Sequence, residues 1–173
     1  MTRSEPEAAE VGEVGEVGEG SDAAAGEEVD VAAALQRLLD IEALRRLKAR
    51  YFRCIDTKDW EGFAQVFTED AVLEVPEVDA VMEGREAIVS TVSAALAGAT
   101  SAHHGHMPEI DVVDADTATG TWAMFDYVEW PPAETGERRG LMGFGHYLET
   151  YVRDGGVWRI SRLHLRRIRI DPL

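Results

Sequence analysis

The spacing of apolar residues changes once along this chain, close to residue 101. Before that point, apolar side chains recur every three or four residues, as they do along one face of an amphipathic helix. After it, they alternate with polar side chains at a period of two, as they do in strands with one buried face. Helices followed by long strands indicate an α+β fold rather than alternating βαβ units.

The helical part predicts three helices and a strand. The apolar stripe of the first helix consists of Leu35, Leu38, Ile41 (or Leu39), Leu44, Lys48, Tyr51 and Ile55. Asp59 can cap a second, short helix, and a strand is expected over 71–75. Gly84-Arg85-Glu86 opens a third helix that ends at Gly98.

Four long strands are predicted in the remainder, over about 103–113, 117–130, 140–152 and 157–170. Short Asp- and Gly-containing connections between them suit antiparallel hairpins. We therefore expect a curved, mostly antiparallel sheet with the N-terminal helices packed on it. Such a cone-shaped α+β barrel would have an apolar interior.

Residues 1–30 differ in composition from the rest of the chain. They contain a short Val-Gly-Glu repeat, ten acidic residues and one arginine, a net charge of −9 within −16 for all 173 residues. Like charges and few large apolar groups disfavour a packed core. We interpret 1–30 as a dispensable, disordered acidic tail and 31–173 as one folded domain.

Charge and composition also exclude several functional classes. A negative balance disfavours binding to nucleic acid or to anionic membranes, both of which attract basic surfaces. The single cysteine, Cys54, excludes a disulfide framework and a cysteine-based zinc site. No apolar run is long enough for a membrane span, and the N-terminus has no apolar secretory core. We expect a cytoplasmic protein.

Asp126 is the residue that departs most from its strand pattern. It lies on one face of the 117–130 strand with Trp122, Met124, Val128 and Trp130. A lone buried carboxylate is costly, so Asp126 should be paired, protonated or next to a wet pocket. A bond to nearby backbone, or a register slip that turns Asp126 outward, would also explain the pattern.

Three histidines open the 103–113 strand. Strand alternation sends His104 and His106 to one face and His103 to the other, unless a bulge intervenes. An imidazole suits proton transfer near neutral pH, but a surface histidine is an equally ordinary explanation. Two same-face histidines and a distant aspartate are a weak metal signature, so no metal site is expected.

Further candidates lie on the first helix and the last strand. Tyr51 and Asp56 are five residues and about 140° apart on an ideal helix, so they share a pocket only if Asp56 lies at the helix end. One face of the last strand is predicted to carry Trp158, Ile160, Arg162, His164, Arg166, Ile168 and Ile170. Its polar centre suggests either a wet cavity or a charged edge strand.

The residues from about 34 to 172 resemble the SnoaL-like branch of the nuclear transport factor 2-like superfamily. The cues are the helix from Leu44 to Tyr51 running into Asp56, then Asp59-Trp60, Phe67-Thr68-Glu69-Asp70-Ala71, Gly84-Arg85-Glu86-Ala87-Ile88, the His103-His104 pair and Trp158-Arg159-Ile160. The resemblance implies the cone-shaped fold. It leaves the reaction open, because the superfamily includes dehydratases, isomerases, cyclases and non-catalytic subunits.

Within this superfamily the catalytic pattern is similar to that of bile-acid 7α-dehydratase, and more distantly to scytalone dehydratase. The similarity implies that Tyr51, Asp56, His103 and Asp126 are catalytic and that Arg166 binds substrate. His103 would be the base, with His104 as its rival, and Asp126 would orient His103. The aromatic residues Trp122, Trp130 and Phe144, together with His104, would line the substrate site.

The expected function is therefore a cofactor-independent dehydratase acting on a hydrophobic hydroxylated carbonyl compound, such as a steroid or polyketide. Isomerisation or ring closure with the same residues is one alternative, and a ligand-binding or subunit-assembly domain is another. Enolate chemistry of this kind needs no metal and no organic cofactor. From the long strands and the family's habit we also expect a homo-oligomer, namely a dimer.

Overall fold

The computed structural model describes residues 30–173, so the tail predicted for 1–30 lies outside the described residues except for Asp30. The helices are α1 (Val31–Thr57), α2 (Trp60–Ala64) and α3 (Arg85–Ala95), with a 3₁₀ turn at Pro76–Val78. The strands are β1 (Phe67–Val75), β2 (Ala80–Glu83), β3 (Thr100–Val112), β4 (Thr117–Trp130), β5 (Arg139–Asp154) and β6 (Val157–Pro172).

The six strands form one sheet in the order β2-β1-β6-β5-β4-β3. All neighbouring pairs are antiparallel except β1 and β6, which are parallel. The predicted α+β class and mostly antiparallel sheet are confirmed. The sheet is open, with β2 and β3 as its edges, and β2 occupies a stretch that the sequence predicted as loop.

Helix α1 packs across the inner face of the sheet, against β3 and β6. Its start is fixed by Asp30, whose carboxylate accepts hydrogen bonds from the backbone N–H groups of Ala32 and Ala33. Its end is fixed by Lys58, which adopts the left-handed conformation at φ 62°. None of the helices within 30–173 combines the length and apolarity that a membrane span requires.

The apolar stripe predicted for α1 is buried only in its second part. Leu35 and Leu38 are 55% and 64% exposed, whereas Leu44 and Leu47 are buried. The first turns run beside the end of β3, where Arg37 donates a hydrogen bond to the Val112 carbonyl. The interior therefore begins near Asp40, about one and a half turns after Leu35, where the predicted stripe begins.

Two bulges in β6 change which side chains face α1. Ile160 pairs with Tyr151 but Arg162 pairs with Thr150, so Ser161 is an extra residue and the inward set shifts by one position. Leu163 and Leu165 are consequently buried. The predicted set is therefore wrong between the two bulges: Arg162, His164 and Arg166 belong to the outer face. A second bulge at Ile168 restores the alternation, so Ile170 lies on the predicted face.

Three charged residues of α1 enter the interior at intervals of eight residues, or about 12 Å along the helix axis. Asp40 accepts hydrogen bonds from Arg153 and from the Trp158 indole, at 2.7 and 3.0 Å. Lys48 pairs with Glu149 of β5. Asp56 pairs with His103 of β3. Each of these three charged side chains of α1 thus has a partner on the sheet. The three pairs fix how the helix lies on the sheet.

Asp40 should make stability depend on pH. Burial opposes its ionisation, but the bonds from Arg153, Trp158 and Gln36 outweigh burial, so the pKa of Asp40 lies below its ordinary value. A lowered folded-state pKa stabilises the protein above the unfolded-state pKa and ceases to do so as pH falls through the folded-state value. We expect Asp40→Asn to cost about 2 kcal/mol at pH 7, and the difference from wild type to shrink below about pH 4.

Urea unfolding followed by tryptophan fluorescence at several pH values measures this difference. Asp116→Asn is the matched control, because Asp116 lies 3.7 Å from the same arginine but its side chain is 73% exposed. The control should unfold as wild type does at every pH. A loss for Asp40→Asn that is constant from pH 7 to pH 3 would contradict the pKa assignment.

Candidate active site

His103 and Asp56 form a hydrogen-bonded pair where the end of α1 meets the start of β3. His103 Nδ1 lies 2.6 Å from Asp56 Oδ1. An ionised carboxylate can only accept, so Nδ1 carries the proton and the neutral ring has its lone pair on Nε2. Nε2 has no hydrogen-bond partner among residues 30–173 and is not among the buried unpaired atoms. This nitrogen is therefore available to remove a proton.

The Asp56 carboxylate is itself held from three directions. The His103 backbone N–H donates to Oδ2 at 2.8 Å, and the Ser101 hydroxyl donates to Oδ1 at 2.9 Å. Lys58 Nζ in turn donates to the Ser101 hydroxyl at 2.8 Å. Burial opposes ionisation of Asp56, but the bonds from His103 and Ser101 outweigh it and lower the pKa of this carboxyl. Asp56 is therefore ionised at neutral pH, as an orienting group for imidazole must be.

Asp126 is buried on the inner face of β4, as predicted, but its partner is not the predicted one. Arg167 binds it through two parallel bonds, Nη1 to Oδ1 at 2.9 Å and Nη2 to Oδ2 at 2.8 Å. His103 is its direct neighbour on β3, on the same face of the sheet. Because the His103 ring points to Asp56, the expected orientation of His103 by Asp126 is corrected: Asp56 orients it.

The Asp126–Arg167 pair crosses β5 over a glycine. Asp126 and Arg167 belong to strands on either side of β5, and Gly143 pairs directly with Asp126. A Cβ at Gly143 would lie 1.8 Å from Arg167 Nη1 and 2.0 Å from Asp126 Oδ1. Only glycine leaves room for the two side chains to meet at this position.

A second polar network lies deeper between α1 and the sheet. Lys48 and Glu149 are fully buried and bonded to each other. Glu149 also accepts from the Tyr151 hydroxyl, which itself accepts from the Trp122 indole N–H at 2.8 Å. Burial lowers the pKa of Lys48, and the charge of Glu149 counteracts part of this effect. The indole N–H of Trp122, a residue predicted to line the substrate site, is thus hydrogen-bonded within this network.

Tyr51 lies in the interior between the two polar networks. Its ring packs 5.5 Å from Phe52 and 5.2 Å from Phe63, measured between centroids. Burial and then the charges of Glu149, Asp126 and Asp56 raise the pKa of Tyr51 well above its ordinary value. The hydroxyl therefore stays protonated at neutral pH and can act as a hydrogen-bond donor.

Three of the four remaining predicted substrate-binding residues lie on the outer face, and the fourth lies at the rim of the inner face. His104 is exposed on the outer face, stacked against Phe125 with ring centroids 5.6 Å apart. Phe144 also lies there, 5.2 Å from Phe125, and Arg166 is exposed. The fourth, Trp130, is half-buried at the end of β4, where its indole N–H donates to the Ala95 carbonyl. Strand alternation places His104 on the face opposite to His103, and the bulge at Ser161 turns Arg166 to the outer face.

The sequence interpretation missed several interior polar residues. Arg167 was not among the candidates, because alternation counted without the bulge at Ser161 places it on the face opposite to Trp158 and Ile160. Glu149, Tyr147 and Tyr151 all lie on the inner face of β5. A usable signal was present in β5, where Gly143 and Gly145 alternate with bulky residues and mark the inner face. A second usable signal was Lys48, a charged residue on the apolar stripe of α1.

Within residues 30–173, no three His, Cys, Asp or Glu side chains are arranged to hold one metal ion. The polar groups of the interior are instead paired with one another: His103 with Asp56, Arg167 with Asp126, and Lys48 with Glu149. This arrangement suits proton transfer by side chains. It combines an oriented imidazole with a protonated phenol.

Comparison with known proteins places this chain among related folds. A family model described as "SnoaL-like domain" matches residues 36–164. A structure of Rv3472 from Mycobacterium tuberculosis, described as a protein of unknown function, is 28% identical with a TM-score of 0.69, covering 82% of this chain and 79% of that one.

Two further structures carry enzyme names. A putative scytalone dehydratase from Novosphingobium aromaticivorans is 23% identical, with a TM-score of 0.72 over 81% of this chain and 91% of that one. A type 2 hexachlorocyclohexane dehydrochlorinase, LinA, is 20% identical, with a TM-score of 0.71 over 81% and 93%. At these identities the two structures show a shared fold.

Gly143→Ala should break the Asp126–Arg167 pair. The added methyl group must displace one side chain, which leaves a buried charge without its partner, and we expect a loss of about 3 kcal/mol or more in unfolding free energy. In an Arg167→Ala background the guanidinium is already absent, so the same substitution should cost less. Chemical denaturation of the four proteins of this cycle measures the coupling. Equal costs in both backgrounds would contradict the close approach.

Proposed function

We propose that this chain, which belongs to the SnoaL-like domain family, is a lyase that eliminates water from a hydroxylated carbonyl compound by acid–base catalysis. The hydrogen bond between His103 Nδ1 and Asp56 is the observation that carries the proposal. It fixes the tautomer that leaves Nε2 as a base, and it places a negative charge where the imidazolium will form. The names of two structural relatives, a dehydratase and a dehydrochlorinase, support elimination as the reaction class.

The reaction begins with proton removal. His103 Nε2 takes a proton from the carbon next to the substrate carbonyl, and the electrons of that C–H bond move toward the carbonyl oxygen. Asp56 stabilises the imidazolium formed in this step, because it is ionised and bonded to the opposite ring nitrogen. General base catalysis of this kind contributes a factor of about 10² to 10⁴ in rate.

The second part of the reaction is loss of the hydroxyl group. The enolate electrons form a carbon–carbon double bond as the C–O bond breaks, and the proton held by His103 leaves with the hydroxyl as water. Tyr51, a protonated phenol in the interior, donates a hydrogen bond to the developing oxyanion. No atom needs to come from a cofactor in this scheme.

Asp126 has a different part from the one that the sequence predicted, because it is bonded to Arg167. Their bidentate pair neutralises both charges beside the site, and neither side chain is free to act as the base. The pair instead forms an ordered polar group beside His103 on the inner face of the sheet. A hydrophobic substrate such as a steroid or polyketide is supported by the aromatic rings of Phe52 and Tyr147, which lie 5.8 Å apart in the interior.

The proposal predicts how the two adjacent histidines differ. With a panel of β-hydroxy carbonyl steroids and polyketides, water loss is followed by mass spectrometry and by the absorbance of the conjugated product. We expect His103→Ala to lower the rate by about 10² to 10⁴, and Asp56→Asn to lower it substantially. Because the two act as a unit, the double variant should be little slower than His103→Ala.

His104→Ala is the matched control, since its ring lies on the outer face one residue away. It should retain wild-type turnover. Near-wild-type turnover by His103→Ala would exclude the mechanism. Rearranged products of unchanged mass would favour isomerisation or cyclisation, and tight binding without any turnover would favour a ligand-binding domain.

A further inference from the structure

Tyr147 is an inner-face residue of β5 whose phenol hydroxyl has no role in the mechanism above. It pairs with Trp122 on β4 and with Leu165 on β6, so it lies in the middle of the sheet. Its side chain is buried, and its ring centroid lies 6.0 Å from that of Tyr51. These two rings approach each other from opposite sides of the interior, one from the sheet and one from α1.

The hydroxyl groups of Tyr51 and Tyr147 are uncommitted. Neither forms a hydrogen bond within residues 30–173, and neither is among the buried unpaired atoms, so both oxygens keep contact with accessible space. Tyr151, on the same face of the same strand, differs because its hydroxyl donates to Glu149 and accepts from Trp122. A phenol hydroxyl that reaches accessible space and has no protein partner can donate to a ligand oxygen.

One ammonium group lies against both rings. Lys48 Nζ is 3.6 Å from the centroid of Tyr147 and 4.0 Å from that of Tyr51. A cation on the face of an aromatic ring is attracted to its electrons. Lys48 is held in this place by its bond to Glu149. The lysine therefore holds the two rings on either side of one ammonium group.

We propose that Tyr147 is a second phenol donor of this site, which with Tyr51 binds the substrate oxygen that gains negative charge, and that Lys48 is the positioning residue for both rings. The inference rests on the proposed function and deepens it. The ligand class is an enolate, or any flat aromatic or steroidal compound that presents one anionic oxygen. Both phenols remain protonated at neutral pH, since burial and their acidic neighbours raise the pKa of each.

The probe for this proposal is 2-naphthol, whose ionised form carries one anionic oxygen on a flat apolar ring. Absorbance and fluorescence distinguish its neutral and ionised forms. We expect wild type to bind the ionised form preferentially. Tyr147→Phe should weaken that binding about tenfold, the effect of one hydrogen bond to a charged group, and Tyr51→Phe should do the same.

Tyr127→Phe is the matched control, because the Tyr127 hydroxyl lies on the outer face and donates to Glu129 at 2.5 Å. It should bind naphtholate as wild type does. If Tyr147→Phe also binds as wild type does, the inference is overturned while the proposed function stands. If wild type binds no naphtholate, the inference is overturned as well, and the water-elimination assay with His103→Ala decides the proposed function independently.

Lys48 requires a variant that keeps the fold. Lys48→Met alone leaves Glu149 buried without its cation, so the test uses Lys48→Met with Glu149→Gln, which removes both charges together. In this background we expect Tyr147→Phe to weaken naphtholate binding much less than tenfold, because the Tyr147 ring is no longer held by the ammonium group; a merely structural role would leave the effect of Tyr147→Phe unchanged. A full tenfold effect of Tyr147→Phe in this background would remove Lys48 from the proposal.

Discussion

A charged side chain that enters an apolar interior needs a partner there, and α1 carries three such side chains. Asp40, Lys48 and Asp56 are separated by eight residues, and each meets a group of opposite charge or a hydrogen-bond donor on the sheet. Leaving any one unpaired would cost several kcal/mol. The position of α1 on the sheet is therefore set by polar matching as well as by apolar packing, and the last of the three matches creates the site.

The same polar matching explains which parts of the site the sequence could predict. Asp126 was recognised because a carboxylate interrupts an apolar face, and its burial follows from that pattern. Its partner was not predictable from strand order alone. His103 is its nearest neighbour on β3, yet Arg167 reaches it from two strands away because Gly143 leaves the space between them. The pairing depends on a missing side chain, which periodicity does not register.

The bulges in β6 are the second reason why the sequence did not predict the whole site. The alternation rule assigned β4 correctly, where the pairing with β5 has no bulge, and failed on β6 between the bulges at Ser161 and Ile168. One inserted residue turned Arg166 outward and Arg167 inward, although the two are adjacent in sequence. The fold class itself depends on the long-range change of period and survives such local shifts. The set of site residues depends on which face of its strand each side chain occupies, so one inserted residue changes that set.

The orienting role proposed for Asp56 requires that His103 keep its proton on Nδ1 and its lone pair on Nε2. Nitrogen-15 NMR of the imidazole rings measures this, because protonated and unprotonated ring nitrogens have well-separated shifts. We expect a neutral His103 protonated at Nδ1, with a hydrogen-bonded Nδ1 proton that is lost in Asp56→Asn and kept in Asp126→Asn. A His103 ring protonated at Nε2, or an Nδ1 proton that depends on Asp126 instead of Asp56, would contradict that role.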